Sequence, residues 1–64
     1  MYYLFVAKGD REKLKEAIVA RNIRYDAPLF NSRGKVCAAF YEGEELGRLV
    51  SELNSQDIDY DLEV

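Results

Sequence analysis

The stretch Ile23-Arg24-Tyr25-Asp26-Ala27-Pro28-Leu29-Phe30-Asn31-Ser32-Arg33-Gly34-Lys35-Val36-Cys37-Ala38-Ala39-Phe40-Tyr41 decides the fold. Its first eight residues alternate. Ile23, Tyr25, Ala27 and Leu29 point one way, and Arg24, Asp26, Pro28 and Phe30 point the other; a period of two means a strand. Pro28 has no N–H to give a ladder, so this strand belongs at a sheet edge. Asn31 to Gly34 reads as a four-residue hairpin loop, with Gly34 free to turn left-handed. Lys35 to Tyr41 is then the return strand. This register sets Phe30 opposite Lys35, Leu29 opposite Val36, Ala27 opposite Ala38 and Tyr25 opposite Phe40. The last three pairs share one apolar face, which a one-residue slip would destroy.

Upstream, Tyr2 to Ala7 is aromatic and β-branched, as strands are. Gly9-Asp10 breaks the run, and Asp10 is a good helix N-cap, with Glu12 in the first turn. Leu14, Ala17 and Ile18, with Arg21 following, give the face of an amphipathic helix that Asn22 ends. Downstream, Gly43 to Asn54 is a second helix with Leu46, Leu49, Val50 and Leu53 on its apolar face. Its acids Glu44 and Glu45 suit the positive end of the helix dipole. Gly47 costs about 1 kcal/mol against alanine in a helix interior, and a close approach of another element would account for it. Asn54-Ser55-Gln56 is a turn. Ile58, Tyr60 and Leu62 then alternate with Asp57, Asp59, Asp61 and Glu63 in a final strand. No linker or internal repeat is visible.

The order β-α-β-β-α-β resembles the ferredoxin-like fold along the whole chain, which therefore reads as a single domain. The resemblance implies an α+β sandwich: a four-stranded antiparallel sheet, first and third strands central, both helices on one face. The edge position of Pro28 agrees with it. The core is then expected from Leu4, Val6, Ile23, Tyr25, Ala27, Leu29, Val36, Ala38, Phe40, Ile58, Tyr60 and Leu62, together with the helix faces.

A sheet solvated on its other face should be polar there. The edge strands obey, with Arg24 and Asp26 on one side and Asp59, Asp61 and Glu63 on the other. The central strands offer Tyr3, Phe5 and Ala7, then Lys35, Cys37, Ala39 and Tyr41, with Pro28 and Phe30 extending the patch. An apolar centre inside a charged rim is the anatomy of a protein interface. Tyr3, Phe5, Cys37, Ala39 and Tyr41 are therefore the expected partner-binding residues. Asp59 and Asp61 either dock a basic partner or guard the edge against strand addition.

Composition narrows the class. The 64 residues carry 9 basic and 12 acidic side chains, a net charge of −3, and Asp57 to Val64 holds four acids and no base. That balance does not favour a polyanion partner. There is no histidine and one cysteine, so neither a disulfide nor a structural zinc site is expected, and no cofactor is expected either. Cys37 has no histidine to activate it. Glu42, Glu44 and Glu45 read as a solvated first turn rather than a metal or acid–base cluster. No catalytic residue is expected. No apolar run reaches the roughly 20 residues of a membrane span, and the start MYYLFVAKGD lacks the basic leader of a signal peptide. A lone thiol predicts a reducing compartment, the cytoplasm.

Two further resemblances are local. Leu4-Phe5-Val6-Ala7-Lys8-Gly9, Arg33-Gly34 and Phe40 approximate the signatures of the RNA-recognition motif. That resemblance implies RNA or single-stranded DNA binding, with Phe5 as a base-stacking platform. Lys35 and Cys37 stand where the family's other two stacking aromatics would be. Lys8-Gly9-Asp10 resembles the ligand loop of ACT-type regulatory domains, which implies a small anionic ligand. The reading of the whole chain is a non-enzymatic interaction module: a homodimer, or a small inhibitor or adaptor of a larger protein. Small open reading frames of this kind are frequent in phages and mobile elements.

Overall fold

A computed structural model describes residues 1–26 and 28–63. The first strand, β1, is Tyr2–Ala7, and a single 3-10 turn at Lys8–Asp10 leads into helix α1, Arg11–Ala20. Strand β2 is Phe30–Ser32, β3 is Lys35–Phe40, α2 is Gly43–Ser55 and β4 is Asp61–Glu63. The fold is α+β with one four-stranded antiparallel sheet in the order β2-β3-β1-β4.

β1 and β3 are central because they alone alternate apolar residues on both faces. Leu4 and Val6 pair with Ala38 and Val36. These four and Phe40 join Leu14, Ala17 and Ile18 of α1 and Leu46, Leu49 and Leu53 of α2 in one buried cluster. Both helices thus bury the apolar faces expected of them, except that Val50 only flanks the cluster. Leu4, Val6, Val36, Phe40, Leu49 and Leu53 are all 1% exposed or less. The ends of the helices are tied together by charge. Arg21 donates to Glu52 at 2.5 Å, and Arg48 donates to the Arg21 carbonyl.

Both helices also stop in the same way. Asn22 and Asp57 take left-handed φ values of 51° and 58°. The N–H groups of Ile23 and Ile58 then bond back to the carbonyls of Ile18 and Leu53. This is the Schellman stop, in which a residue after the cap turns left-handed and the next apolar residue folds back onto the helix. The two isoleucines are buried. The two halves of the chain therefore repeat a short motif, Ile-x-Tyr-Asp at 23–26 and 58–61, which corrects the expectation of no internal repeat.

The hairpin differs from expectation in register and length. Phe30 pairs with Cys37, Asn31 with Val36 and Ser32 with Lys35. The loop is the two residues Arg33 and Gly34, with φ of 54° and 75°. Two successive left-handed residues match the type I′ turn, whose twist suits a two-residue hairpin. The slip is two residues, so each side chain keeps its face.

Among the described residues, the strand expected from Ile23 to Phe30 joins the ladder only at its end. Residues 24–26 and 28–29 are irregular. Asp26 still holds β3, its N–H donating to the Ala39 carbonyl and its carboxylate accepting from the Tyr41 N–H at 2.6 Å. The expected pairing of Ala27 with Ala38 lies outside the described residues.

The edges also correct the core. Tyr25 is 42% and Leu62 52% exposed, and Leu29 and Tyr60 only flank the buried cluster. The helices pack on β1 and β3, while β2 and β4 make their main contacts with a single neighbouring strand. Alternation assigned Tyr25 and Leu62 a face, but no helix covers that part of it. Two local expectations fail as well. Asp10 stands before α1 but makes no capping hydrogen bond, because the 3-10 turn supplies the entry; it pairs instead with Lys13 at 4.0 Å. Gly47 lies on the exposed side of α2 with nothing near its position, so no close approach explains it.

Candidate functional site

The registers lay out the sheet face that carries the odd-numbered residues of β1 and β3. One row across it reads Asp61, Phe5, Cys37, Phe30, and the next reads Glu63, Tyr3, Ala39. Tyr3, Phe5, Cys37 and Ala39 are thus brought together, with Asp61 beside them. Tyr41 follows β3 by one residue. Asp59 precedes β4, exposed and outside the ladder.

Burial on this face is uneven. Phe5 is 8%, Ala39 3% and Cys37 0% exposed, while Phe30 is 40% and Tyr41 66% exposed and Tyr3 is half-buried. Of the five expected partner-binding residues, Phe5, Cys37 and Ala39 therefore present little surface in the free chain, and Tyr3 and Tyr41 present more. Cys37 is closed because phenyl rings flank it from both neighbouring strands, Phe5 on one side and Phe30 on the other. Phe5 is closed by charge. The Arg33 guanidinium lies 6.0 Å from its ring centroid, within the range of a cation–π contact. Arg33 also donates to Glu63 at 2.8 Å, and Lys35 to Asp61 at 2.5 Å.

These pairs change the reading of the acidic last strand. Asp61 and Glu63 are each met by a base of the same chain, so they form no free acidic stripe. Sequence reading missed this because Arg33 and Lys35 sit far from Asp61 and Glu63 in the chain. The signal was present in the strand order, which sets β4 one strand away from the start of β3.

Burial pushes the Cys37 thiol above its ordinary pKa, and the nearby charge of Glu63 adds to the effect. The sulfur is thus held as a neutral thiol, which is the unreactive form. Among the described residues, no three His, Cys, Asp or Glu side chains are grouped to hold a metal ion. Also among the described residues, no helix is long and apolar enough to cross a membrane.

A second concave region, of about 400 Å³, lies beyond the end of β3. Tyr25 and Tyr41 line it together with Arg24, Asp26, Glu42, Glu44 and Glu45. Its acids favour cations over anions. The loop at Lys8-Gly9-Asp10 is wound into the 3-10 turn, with open space around Gly9.

The fold and this face define an α+β domain of β-α-β-β-α-β order with an aromatic sheet surface. No protein-family model, curated protein or solved structure gives a match to the chain.

Proposed function

We propose that this chain is a non-enzymatic protein-interaction module. It is built as a ferredoxin-like sandwich with both helices on one face, and it associates through the other face with a second copy of itself. The supporting observation is a neutral aromatic surface on a chain of net charge −3. Tyr3 and Phe30 remain accessible there, while Asp61 and Glu63 are each neutralised by Lys35 and Arg33. A face that drew in a basic partner would leave its acids free. A face that drew in phosphates would leave its bases free, and here the base-stacking position of Phe5 is covered and flanked by carboxylates. An isologous pair needs a face that does not repel its own copy, and mutual neutralisation provides that. The buried thiol and the absence of a second cysteine suit a reducing compartment such as the cytoplasm.

The test is the mass of the free protein by sedimentation equilibrium over a range of concentrations. A concentration-dependent dimer is expected, and Phe30→Glu should return it to a monomer with its melting transition kept. A wild-type chain that is monomeric at every concentration would overturn the proposal.

A further inference from the structure

We infer that the ion pairs Arg33–Glu63 and Lys35–Asp61 form a strap that keeps Phe5 out of the sheet-face interface and parts before a partner is fully engaged. The inference rests on the sheet-face reading above. Arg33 belongs to the β2–β3 turn and Lys35 begins β3, whereas Asp61 and Glu63 belong to β4. In the sheet order, β1 runs between them and presents Phe5. Both pairs therefore cross over β1. A shallow depression of about 270 Å³ lined by Phe5, Arg33, Lys35, Asp61 and Glu63 marks the place.

Phe5 is 8% exposed although it points away from the helix-packed cluster, which it does not join. The four strap side chains are 45–72% exposed. Such pairs are weak and are screened by salt. The ring beneath them is an aromatic group on this face that a partner gains only if the strap moves. Pressing a second copy onto the strap would strip water from four charges, which opposes binding unless the strap moves aside. Salt that loosens the strap should then strengthen association, the reverse of what charge-driven binding does.

Cys37 reports on the strap in the free chain, because it is fully buried and is the cross-strand partner of Phe5. The experiment is the rate of alkylation of Cys37 by iodoacetamide, an uncharged reagent, followed against pH so that the rate per thiolate is compared, in dilute protein at low and high salt. The key variant is Arg33→Asn. Asparagine tolerates the left-handed conformation of Arg33, so the turn is kept while the guanidinium is lost. Alkylation of Arg33→Asn should be about threefold to tenfold faster than wild type at low salt and less responsive to salt, in keeping with weak surface pairs. The charge-swapped double variant Arg33→Glu, Glu63→Arg should restore part of the protection, through the ion pair without the cation–π contact at position 33. Amide exchange at Leu49 and Leu53, which reports global opening, should not change.

Equal alkylation rates in wild type and Arg33→Asn would overturn the strap. So would rates that rise only in step with exchange at Leu49 and Leu53. In sedimentation, the double variant Arg33→Asn, Glu63→Gln, which removes the strap and leaves the face balanced in charge, should dimerise more tightly by a similar factor, and an unchanged dimer affinity would also count against it. A chain whose alkylation responds as expected but which never dimerises overturns the sheet-face reading instead, and leaves the strap with no partner to control.

Discussion

Asn22 and Asp57 occupy the same place in the two halves of the chain, each the left-handed residue that stops a helix and turns a buried isoleucine back onto it. Glycine takes this conformation without the steric penalty of a Cβ, which for an L-residue is roughly 1–2 kcal/mol and is less for Asn and Asp. Asp57→Gly should therefore raise stability by up to about 1 kcal/mol, offset in part by the greater freedom of glycine in the unfolded chain. Asn22→Gly should gain less, since asparagine is the better tolerated of the two. Urea midpoints of the two variants check this, and a loss of stability in both would show that the side chains hold the stops.

Gly47 gives a second route to stability. It lies within α2, exposed, with no neighbouring atom near its position. Gly47→Ala should stabilise the protein by about 1 kcal/mol, the difference in helix propensity. An unchanged or lower thermal midpoint would mean that the surface around Gly47, Arg48 and Ser51 needs the missing side chain for some other reason.

The core prediction is more severe. Leu49 and Leu53 are fully buried beneath the central strands. Truncating either to alanine should cost roughly 2–5 kcal/mol from lost transfer energy and the cavity left behind. A domain this small has few kcal/mol to lose, so loss of the cooperative melt at ordinary temperature is the expected outcome. A midpoint equal to wild type would refute it.

What was legible in the sequence follows from periodicity. The faces of α1 and α2 and the strands β1 and β3 could be read because every turn or alternate residue repeats the same choice between core and water. The edges could not. Tyr25 and Leu62 sit in alternating stretches, but alternation assigns a face and does not say whether a helix reaches over it. The hairpin loop was misjudged because Gly34 announces a left-handed residue and Arg33 does not. The candidate face was legible in its rows, Tyr3 and Ala39, Phe5 and Cys37, since face parity survives a two-residue slip. Its closure was not legible, because it depends on Arg33 and Lys35 meeting Glu63 and Asp61 across an intervening strand.

The Arg21–Glu52 pair gives a pH dependence. Glu52 is held below the ordinary glutamate pKa, chiefly by the Arg21 hydrogen bond and next by that of Gln56. The folded chain thus binds this proton less readily than the unfolded chain does. The stabilisation is therefore present above the ordinary glutamate pKa, about 4.3, and is lost as pH falls through the lower folded value. Denaturant midpoints of wild type should drop more steeply below that pH than those of Glu52→Gln, and the two curves should converge in acid. Parallel curves would mean that the pair adds nothing to folding.

Phe5 and Phe30 lie on the same row of the sheet, on either side of Cys37, yet they should respond oppositely to the same change. Phe5 points away from the helices, and direction alone suggests that a charge there would be harmless to the fold. Burial argues otherwise. The ring is 8% exposed, and a carboxylate in its place would lose that buried apolar area and crowd Asp61 and Glu63, leaving Arg33 and Lys35 to serve three acids. Losing a buried ring and adding a partly buried, under-compensated charge are among the few changes that destabilise severely. Phe5→Glu should therefore unfold the protein or lower its melting point sharply, whatever its effect on association. Phe30 is 40% exposed at the end of an edge strand, so Phe30→Glu leaves its carboxylate in water. In protein dilute enough for both to be monomeric, its melting point should stay within a few degrees of wild type, in line with about 0.5 kcal/mol or less for an ordinary surface change. Paired thermal melts decide the matter. A folded, wild-type-like Phe5→Glu protein would show that Phe5 leaves the sheet surface at no cost, and that the ion pairs above it do not close over it.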